Sequence, residues 1–256
     1  MAVFKDNGVV LRETATNESD KRVTLLLKSR GKLTVSVRGA RKPKSKLGGA
    51  TQLFAYGEYI LLEKDGYFSL TQAETLESFH TVRSNFDAFC QAAYFAEMAD
   101  GMLLQGMSSH EPLRLLLRGL QALARGVPDP GLVGAMYTYK LMQIEGLSPN
   151  LDDCTVCGEP YGGTRAYFTG DGLCCYACAR KDDEAQVHSM RKLPIDDSFV
   201  RALRSLLGME AETLFRMNVS DDLRRLLERT ARLFREENLD IRLKSLELME
   251  RSAFIT

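Results

Sequence analysis

The sequence lacks the features of membrane proteins and of secreted proteins. None of its apolar runs reaches the roughly 18 residues that a membrane-spanning helix requires, so we expect no membrane partner. The first residues, MAVFKDNGVV, do not show the charged, apolar and small-residue regions of a secretory signal. We therefore expect a cytoplasmic protein whose thiols are reduced.

Recognisable catalytic motifs are also missing. The three histidines, His80, His110 and His188, are scattered, and none adjoins a serine or cysteine in a nucleophile motif. The stretch RGARKPKSKLGG contains paired glycines and lysines, but not in the order of a phosphate-binding loop. Helix starts account for three of the four Asp-Asp pairs. We therefore predict that the protein is not an enzyme.

Acidic residues are absent from one long segment. The whole chain is neutral, with 34 basic and 34 acidic residues, yet residues 21–46 hold ten basic residues and no acidic one. This charge density would attract a polyanion, although a solvated charged loop explains a single basic run about as well. The residues in this segment that we expect to bind DNA phosphates are Arg30, Lys32, Arg38, Arg41, Lys42, Lys44 and Lys46.

Residues 1–80 carry the patterns of β-strands. The segment LTVSV alternates apolar and polar residues, and VTLLL precedes it as a partner strand. Gly31 lies at the turn between them, so Arg30 and Lys32 are expected to project from its tip. Asp65 and Gly66 predict a second hairpin. With NGVVLRE in front, about five strands can close into a small barrel.

Beyond about residue 81 the apolar residues recur at helical spacing, which predicts helices. Ser84, Asp197 and Ser220 are the expected N-caps. Cys90 lies within an apolar helical pattern and is expected in the core. The sequence thus predicts an α+β multidomain protein with a nucleic-acid-binding barrel at 1–80, helical parts at 81–149 and 186–256, and a zinc module at 150–185.

Five of the six cysteines fall in a short segment. Two CxxC pairs are formed by Cys154, Cys157, Cys175 and Cys178. Residues 158–174 separate the pairs, a spacing typical of zinc sites. Four thiolates close the tetrahedron, so we predict one structural Zn²⁺. Cys174 is expected to be a spectator, because choosing it would turn the second pair into CxxxC. The alternatives are Cys174 as a ligand, His188 as fourth ligand, and an iron–sulfur cluster.

A basic small barrel suits single-stranded nucleic acid, because such folds combine a positive groove with rings that stack on bases. Tryptophan is absent. The aromatic rings that remain available for stacking are Phe54, Tyr56, Tyr59, Tyr67 and Phe68. A position in the barrel core explains most of them equally well. Two alternatives remain. A zinc-ribbon transcription or translation factor would bind duplex DNA or RNA with sequence preference, and a non-catalytic interaction scaffold would bind only acidic proteins.

The chain resembles the bacterial RecO family of recombination mediators and DNA repair proteins. The segments that carry the resemblance are GVVLRE, GKLTVSVRGARKPKSKLGG, QLFAYGEY, LSPNLDDCTVCG, GDGLCCYACA and LKSLELME. The resemblance implies an N-terminal OB-fold β-barrel and an α-helical domain with an inserted four-cysteine zinc module. It also implies binding to single- and double-stranded DNA, annealing of complementary strands, and help in loading the recombinase RecA onto strands coated with single-stranded DNA-binding protein.

The same resemblance implies two direct protein partners. These are RecR and the acidic, apolar C-terminal tail of single-stranded DNA-binding protein. A tail of this kind needs an apolar floor with a cationic rim, which we expect on the helices between residues 111 and 147. The alternatives are the junction between the barrel and the helices, and the C-terminal helices. The candidate residues are Arg114, Arg118, Lys140, Tyr137 and Tyr139.

Overall fold

The computed structural model describes residues 1–127, 129–163, 165–184 and 190–253. The elements in chain order are β1 (Ala2–Ala15), β2 (Lys21–Leu27), β3 (Gly31–Val37), α1 (Lys46–Ala50), β4 (Tyr56–Lys64), β5 (Tyr67–Glu77), α2 (His80–Ser84), α3 (Phe86–Met102), α4 (His110–Ala124), α5 (Pro130–Ile144), β6 (Ala166–Phe168), β7 (Leu173–Cys175), α6 (Tyr176–Glu184), β8 (Leu193–Ile195), α7 (Asp197–Gly208), α8 (Ala211–Leu214), α9 (Asp221–Asn238) and α10 (Lys244–Ala253).

The chain forms two compact units. The first unit consists of Met1–Pro130 and Leu243–Thr256, and the second consists of Gly131–Arg242. The boundaries of these two units differ from the boundaries of the four predicted domains. The four domains therefore remain a prediction about modules of the sequence. In the part of the chain that the structure describes, no helix is both long and apolar enough to cross a bilayer.

Strands β1 to β5 close into a barrel in the order β1-β2-β3-β5-β4. Strands β3 and β5 pair in parallel, and the other neighbours pair antiparallel. A register shift between Val10 and Arg12 bends β1, so this one strand pairs with both β2 and β4. This five-stranded barrel is the arrangement of an OB-fold, which confirms the predicted fold class.

The barrel interior follows the alternation seen in the sequence. Leu33, Val35 and Val37 are buried, whereas the residues between them face outward. At the β4–β5 turn, Asp65 and Gly66 both have positive φ, 52° and 78°, as a two-residue type I′ turn requires. The pattern of apolar residues and the turn residues therefore predicted this part of the barrel correctly.

The aromatic residues of the barrel divide between core and surface. Phe54 and Tyr59 are fully buried, and Phe68 packs against the barrel core. Tyr56 is half-buried, whereas Tyr67 is 81% exposed. Of the five rings suggested for base stacking, Tyr67 is therefore the one that presents its face to solvent.

Helix α3 of the first unit contacts the barrel strand β1 and the C-terminal helix α10. Its N-cap is Asn85, whose side chain accepts a hydrogen bond of 3.0 Å from the N–H of Ala88, so the prediction of Ser84 was wrong by one residue. Cys90 is buried as predicted. Ser245 donates its hydroxyl to Glu97 Oε2 over 2.7 Å, which joins the start of α10 to α3.

The second unit is built on a small antiparallel sheet and an aromatic core. The strand order is β7-β6-β8. Tyr139 of α5 stacks on Phe234 of α9 with ring centroids 5.7 Å apart, and Phe168 of β6 meets both rings edge-on. Helix α7 is capped by Asp196 instead of the predicted Asp197, whereas α9 is capped by Ser220 as predicted.

Candidate metal centre and nucleic-acid surface

The four predicted cysteine ligands come together in the second unit. Their Sγ atoms all lie within 4.8 Å of one another, and those of Cys157 and Cys175 are 3.9 Å apart. Around a tetrahedral zinc with Zn–S bonds of about 2.3 Å, neighbouring sulfurs are about 3.8 Å apart. The group formed by Cys154, Cys157, Cys175 and Cys178, here called the cysteine cluster, therefore fits a tetrahedral ion.

Local backbone structure places each cysteine pair. The first pair lies in a tight turn, where the N–H of Gly158 donates to the carbonyl of Cys154 over 2.9 Å. The second pair spans a strand-to-helix junction, since Cys175 ends β7 and Cys178 lies in the first turn of α6. Residues three apart at the start of a helix face the same side. Both CxxC spacings thus bring their two sulfurs together.

Close backbone contact joins the two halves of the cluster. The N–H of Thr155 donates to the carbonyl of Leu173 over 2.7 Å, and the N–H of Leu173 donates to the carbonyl of Asn150 over 2.9 Å. Gly172 lies between these contacts with φ of +134°, and a Cβ there would be 2.1 Å from the Asn150 oxygen. Only glycine permits this approach.

Electrostatic effects within the cluster favour a bound cation. Burial raises the pKa of Cys154, but the N–H groups of Cys175, Cys157 and Val156 outweigh it and lower this pKa to about 6. Burial, and then the neighbouring thiols of Cys175 and Cys157, raise the pKa of Cys178. Four thiolates side by side repel one another, so a divalent cation is what makes the fully ionised cluster favourable.

Cys174 lies outside the cluster. Its side chain is fully buried against Cys154 and Ala179. Burial raises the pKa of its thiol to about 12, so it stays protonated at neutral pH. Cys175, and not Cys174, is therefore the residue placed to bind a metal. His188, the alternative fourth ligand, lies outside the described residues.

Five of the predicted phosphate-binding residues occupy residues 38–46, here called the basic loop. Asp20 holds this loop against the β1–β2 connection, because its carboxylate accepts the N–H of Gly39 over 2.7 Å. The same N–H, with the amide of Asn17, lowers the pKa of Asp20. The guanidinium of Arg41 donates to the carbonyl of Asn17. The exposed cations are Arg38, Arg41, Lys42, Lys44 and Lys46.

The other two predicted cations lie at the opposite end of β3, roughly 20 Å away for a seven-residue strand. Arg30 is exposed, and its Cζ lies 3.9 Å from the ring centroid of Phe4. Lys32 does not project as expected. Its Nζ lies 3.3 Å from the Asp100 carboxylate and also donates to the Asp100 carbonyl, so its charge is compensated by α3.

Arg22 is an exposed cation that the sequence reasoning did not select. It stands in register with Ser36 of β3 and Thr14 of β1, on the outer face of the barrel. Its neighbour Lys21 points inward instead, with Nζ 2.5 Å from the carboxylate of Glu13. Counting back from Val23, which is buried in the barrel, would have indicated both directions, because consecutive side chains on a strand point to opposite faces.

The residues expected to bind the protein tail differ in burial and in the unit to which they belong. Arg114 and Arg118 of α4 belong to the first unit and are half-buried. Lys140 belongs to the second unit, and its Nζ donates to the carbonyl of Leu207 over 2.7 Å. Tyr137 and Tyr139 are fully buried, so they are core residues and the expectation that they contact a partner is corrected. Residues packed inside the chain cannot form the floor of an open groove.

Comparison with known proteins matches nearly the whole chain to one protein family. The family models described as recombination protein O N terminal and recombination protein O C terminal match residues 1–79 and 83–247. DNA repair protein RecO of Desulforamulus reducens is 31% identical over 253 residues, covering 98% of this chain and 95% of that protein. DNA repair protein RecO of Bacillus pumilus is 30% identical over 251 residues, covering 96% and 93%.

Proposed function

Because the chain belongs to the RecO family of DNA repair and recombination proteins, we propose that it is a non-catalytic mediator that binds single- and double-stranded DNA and anneals complementary strands. In this proposal it works in the cytoplasm at the nucleoid and helps to load RecA onto coated single strands. The observation that carries the proposal is the closed barrel with the exposed cations of the basic loop. A positive surface on a barrel of this kind suits a flexible polyanion.

The proposed DNA surface begins at the basic loop and continues onto the outer face of β2 through Arg22. Arg30 and the exposed ring of Tyr67 extend it at the other end of the barrel. Cations position the phosphates without reading sequence, and an aromatic ring stacks on any base. The surface should therefore bind strands of unrelated sequence similarly. Lys32 would bind a phosphate only after leaving its contacts with the carboxylate and the carbonyl of Asp100.

Titration of labelled single strands, followed by an annealing assay with complementary pairs of unrelated sequence, tests the proposal. We expect salt-sensitive binding that varies little with sequence, and faster annealing of every complementary pair. Strong sequence preference would favour a zinc-ribbon transcription or translation factor. Absence of DNA binding at low salt would favour the interaction scaffold and overturn the proposal.

We further propose one structural Zn²⁺ per chain at the cysteine cluster. Four protein thiolates leave no open position, so a bound zinc would activate neither water nor substrate. Its role would be to hold the two CxxC segments together. Metal analysis of the purified protein, together with its visible absorbance, separates zinc from an iron–sulfur cluster, which would be coloured.

The proposed protein partners are RecR and the C-terminal tail of single-stranded DNA-binding protein. We place the tail on Arg114 and Arg118 of α4, without the two buried tyrosines and without Lys140, which belongs to the other unit. The test variant reverses the charges of Arg114 and Arg118. A matched control reverses Arg201 and Arg225, which are exposed cations on other helices.

Anisotropy of a labelled tail peptide measures this binding. We expect the wild type and the control to bind the peptide with an affinity that falls as salt rises, and the test variant to lose it. Zinc content and single-strand binding should persist in all three proteins. Unchanged peptide binding by the test variant would move the site elsewhere.

A further inference from the structure

The loop between α3 and α4, residues 103–109, is held against the β2–β3 turn in the first unit. Gln105 forms isolated β-bridges with Gly31 and Lys32. The N–H of Ser109 donates to the carbonyl of Lys28 over 3.2 Å. Gly31 has φ of +65°, and a Cβ there would lie 1.9 Å from the carbonyl oxygen of Met107. The turn and the loop thus approach so closely that no side chain fits at Gly31.

This held loop presents two large aliphatic side chains to solvent. Leu104 is 66% exposed and Met107 is 60% exposed. Isolated exposed apolar residues are common on protein surfaces. Here, however, backbone contacts fix the loop that carries them, and the turn beside it bears the exposed cations Lys28 and Arg30. Among the described residues, no carboxylate forms an ion pair with Lys28.

An exposed ring lies at the same end of the barrel. Arg30 contacts the ring of Phe4 and lies 3.8 Å from the carboxylate of Glu63, near the end of β4. The next residue, Lys64, pairs across the turn with Tyr67. Apolar side chains, an aromatic ring and cations therefore lie at the end of the barrel that carries the β2–β3 turn.

We propose that Leu104 and Met107 contact the bases of bound DNA while Lys28 and Arg30 bind the adjacent phosphates. Apolar side chains unstack bases in several DNA-binding folds, and cations beside them hold the backbone in place. The inference rests on the proposed function and adds a base-contacting surface to it. Nucleic acid is the favoured occupant because β2 and β3 are the strands whose face binds single-stranded ligands in an OB-fold.

The surface also fits the length of a bound strand. The basic loop and the β2–β3 turn lie at opposite ends of β3, and one OB-fold covers about 4 to 16 nucleotides. A single strand held by both ends would cross the outer face of β3. Cations would bind its phosphates at each end, and Leu104 and Met107 would separate its bases at the end that carries the β2–β3 turn.

The test compares Leu104→Ala/Met107→Ala with a control, Leu76→Ala/Leu248→Ala, which truncates two other exposed leucines. Single strands carrying 2-aminopurine report both affinity and base unstacking. We expect the test variant to bind about tenfold more weakly, because one base contact is worth about one factor of ten. Its salt slope should be unchanged, and the fluorescence change on binding should be smaller.

A second variant separates bases from phosphates. Lys28→Ala/Arg30→Ala should make the slope of log affinity against log salt shallower by about 1.4, at about 0.7 for each phosphate contact. Circular dichroism and zinc content check that every variant is folded.

Each remaining outcome is decisive. Wild-type affinity and fluorescence in the aliphatic variant would overturn this inference and leave the proposed function standing. A wild type that binds no DNA would overturn both. An aliphatic variant that binds DNA normally but no longer binds purified RecR would assign the loop to a protein partner, and the inference would be wrong.

Discussion

Removing most of the charge from the basic loop should change the salt dependence of DNA binding by a calculable amount. The loop has five exposed cations. At about 0.7 for each phosphate on single strands, their combined log–log slope is about −3.5. The variant that retains only Arg38 in the loop loses four of these contacts, so its slope should be shallower than that of the wild type by about 2.8. It is made by changing Arg41, Lys42, Lys44 and Lys46 to Ala.

These slopes correspond to large differences in affinity. A tenfold fall in salt should strengthen binding by the wild type roughly 600-fold more than binding by the variant, because the other proposed phosphate contacts are the same in both proteins. The two proteins should therefore differ most at low salt and converge as salt rises. Fluorescence anisotropy of a labelled single strand, measured across about a tenfold range of salt, gives both slopes.

Two controls keep the result interpretable. Arg41 also donates to the Asn17 carbonyl, so a triple variant that keeps Arg41 tests whether local unfolding contributes; its slope should be shallower than that of the wild type by about 2.1. A second control removes four arginines from helices of the other unit, namely Arg180, Arg201, Arg225 and Arg232. Equal slopes for the quadruple loop variant and the wild type would refute the assignment of this surface.

Three other changes test particular contacts. Cys175→Ser should lose zinc in metal analysis and Cys174→Ser should keep it; equal loss would contradict the assignment of the spectator. Gly172→Ala should lower stability by about 1–3 kcal/mol, since its Cβ would meet a carbonyl oxygen and its φ is positive, and thermal unfolding measures this. Asp100→Asn removes the carboxylate that pairs with both Lys32 and Arg12, and should steepen the salt slope by about 0.7 for each of the two that reaches DNA; an unchanged slope would show that neither does.

The features that the sequence predicted correctly depend on neighbouring residues. A CxxC turn fixes the separation of its two sulfurs, so Cys154 and Cys157 converge without help from distant parts of the chain. Alternating residues fix the two faces of β3 in the same way, and Asp65-Gly66 fixes the turn after β4. Helix boundaries were less certain, because Ser84 and Asn85 are adjacent and both are good N-caps.

The features that the sequence could not predict depend on distant partners. Lys32 is engaged by Asp100, and nothing in the residues around either of them indicates that α3 packs there. Tyr137 and Tyr139 were expected on a surface, but α5 is buried on nearly every side. A helix without a polar face has no amphipathic pattern to separate inside from outside, so its exposed residues cannot be identified from spacing.

The position of α10 has a consequence for the order in which the protein is made. The helix belongs to the first unit, where it packs on α3, yet residues 131–242 precede it in the chain. At about 5 to 20 residues per second, a bacterial ribosome needs roughly ten seconds to synthesise those residues. During that interval the barrel can form while the face of α3 that receives α10 has no cover. The unit that begins first is therefore completed last.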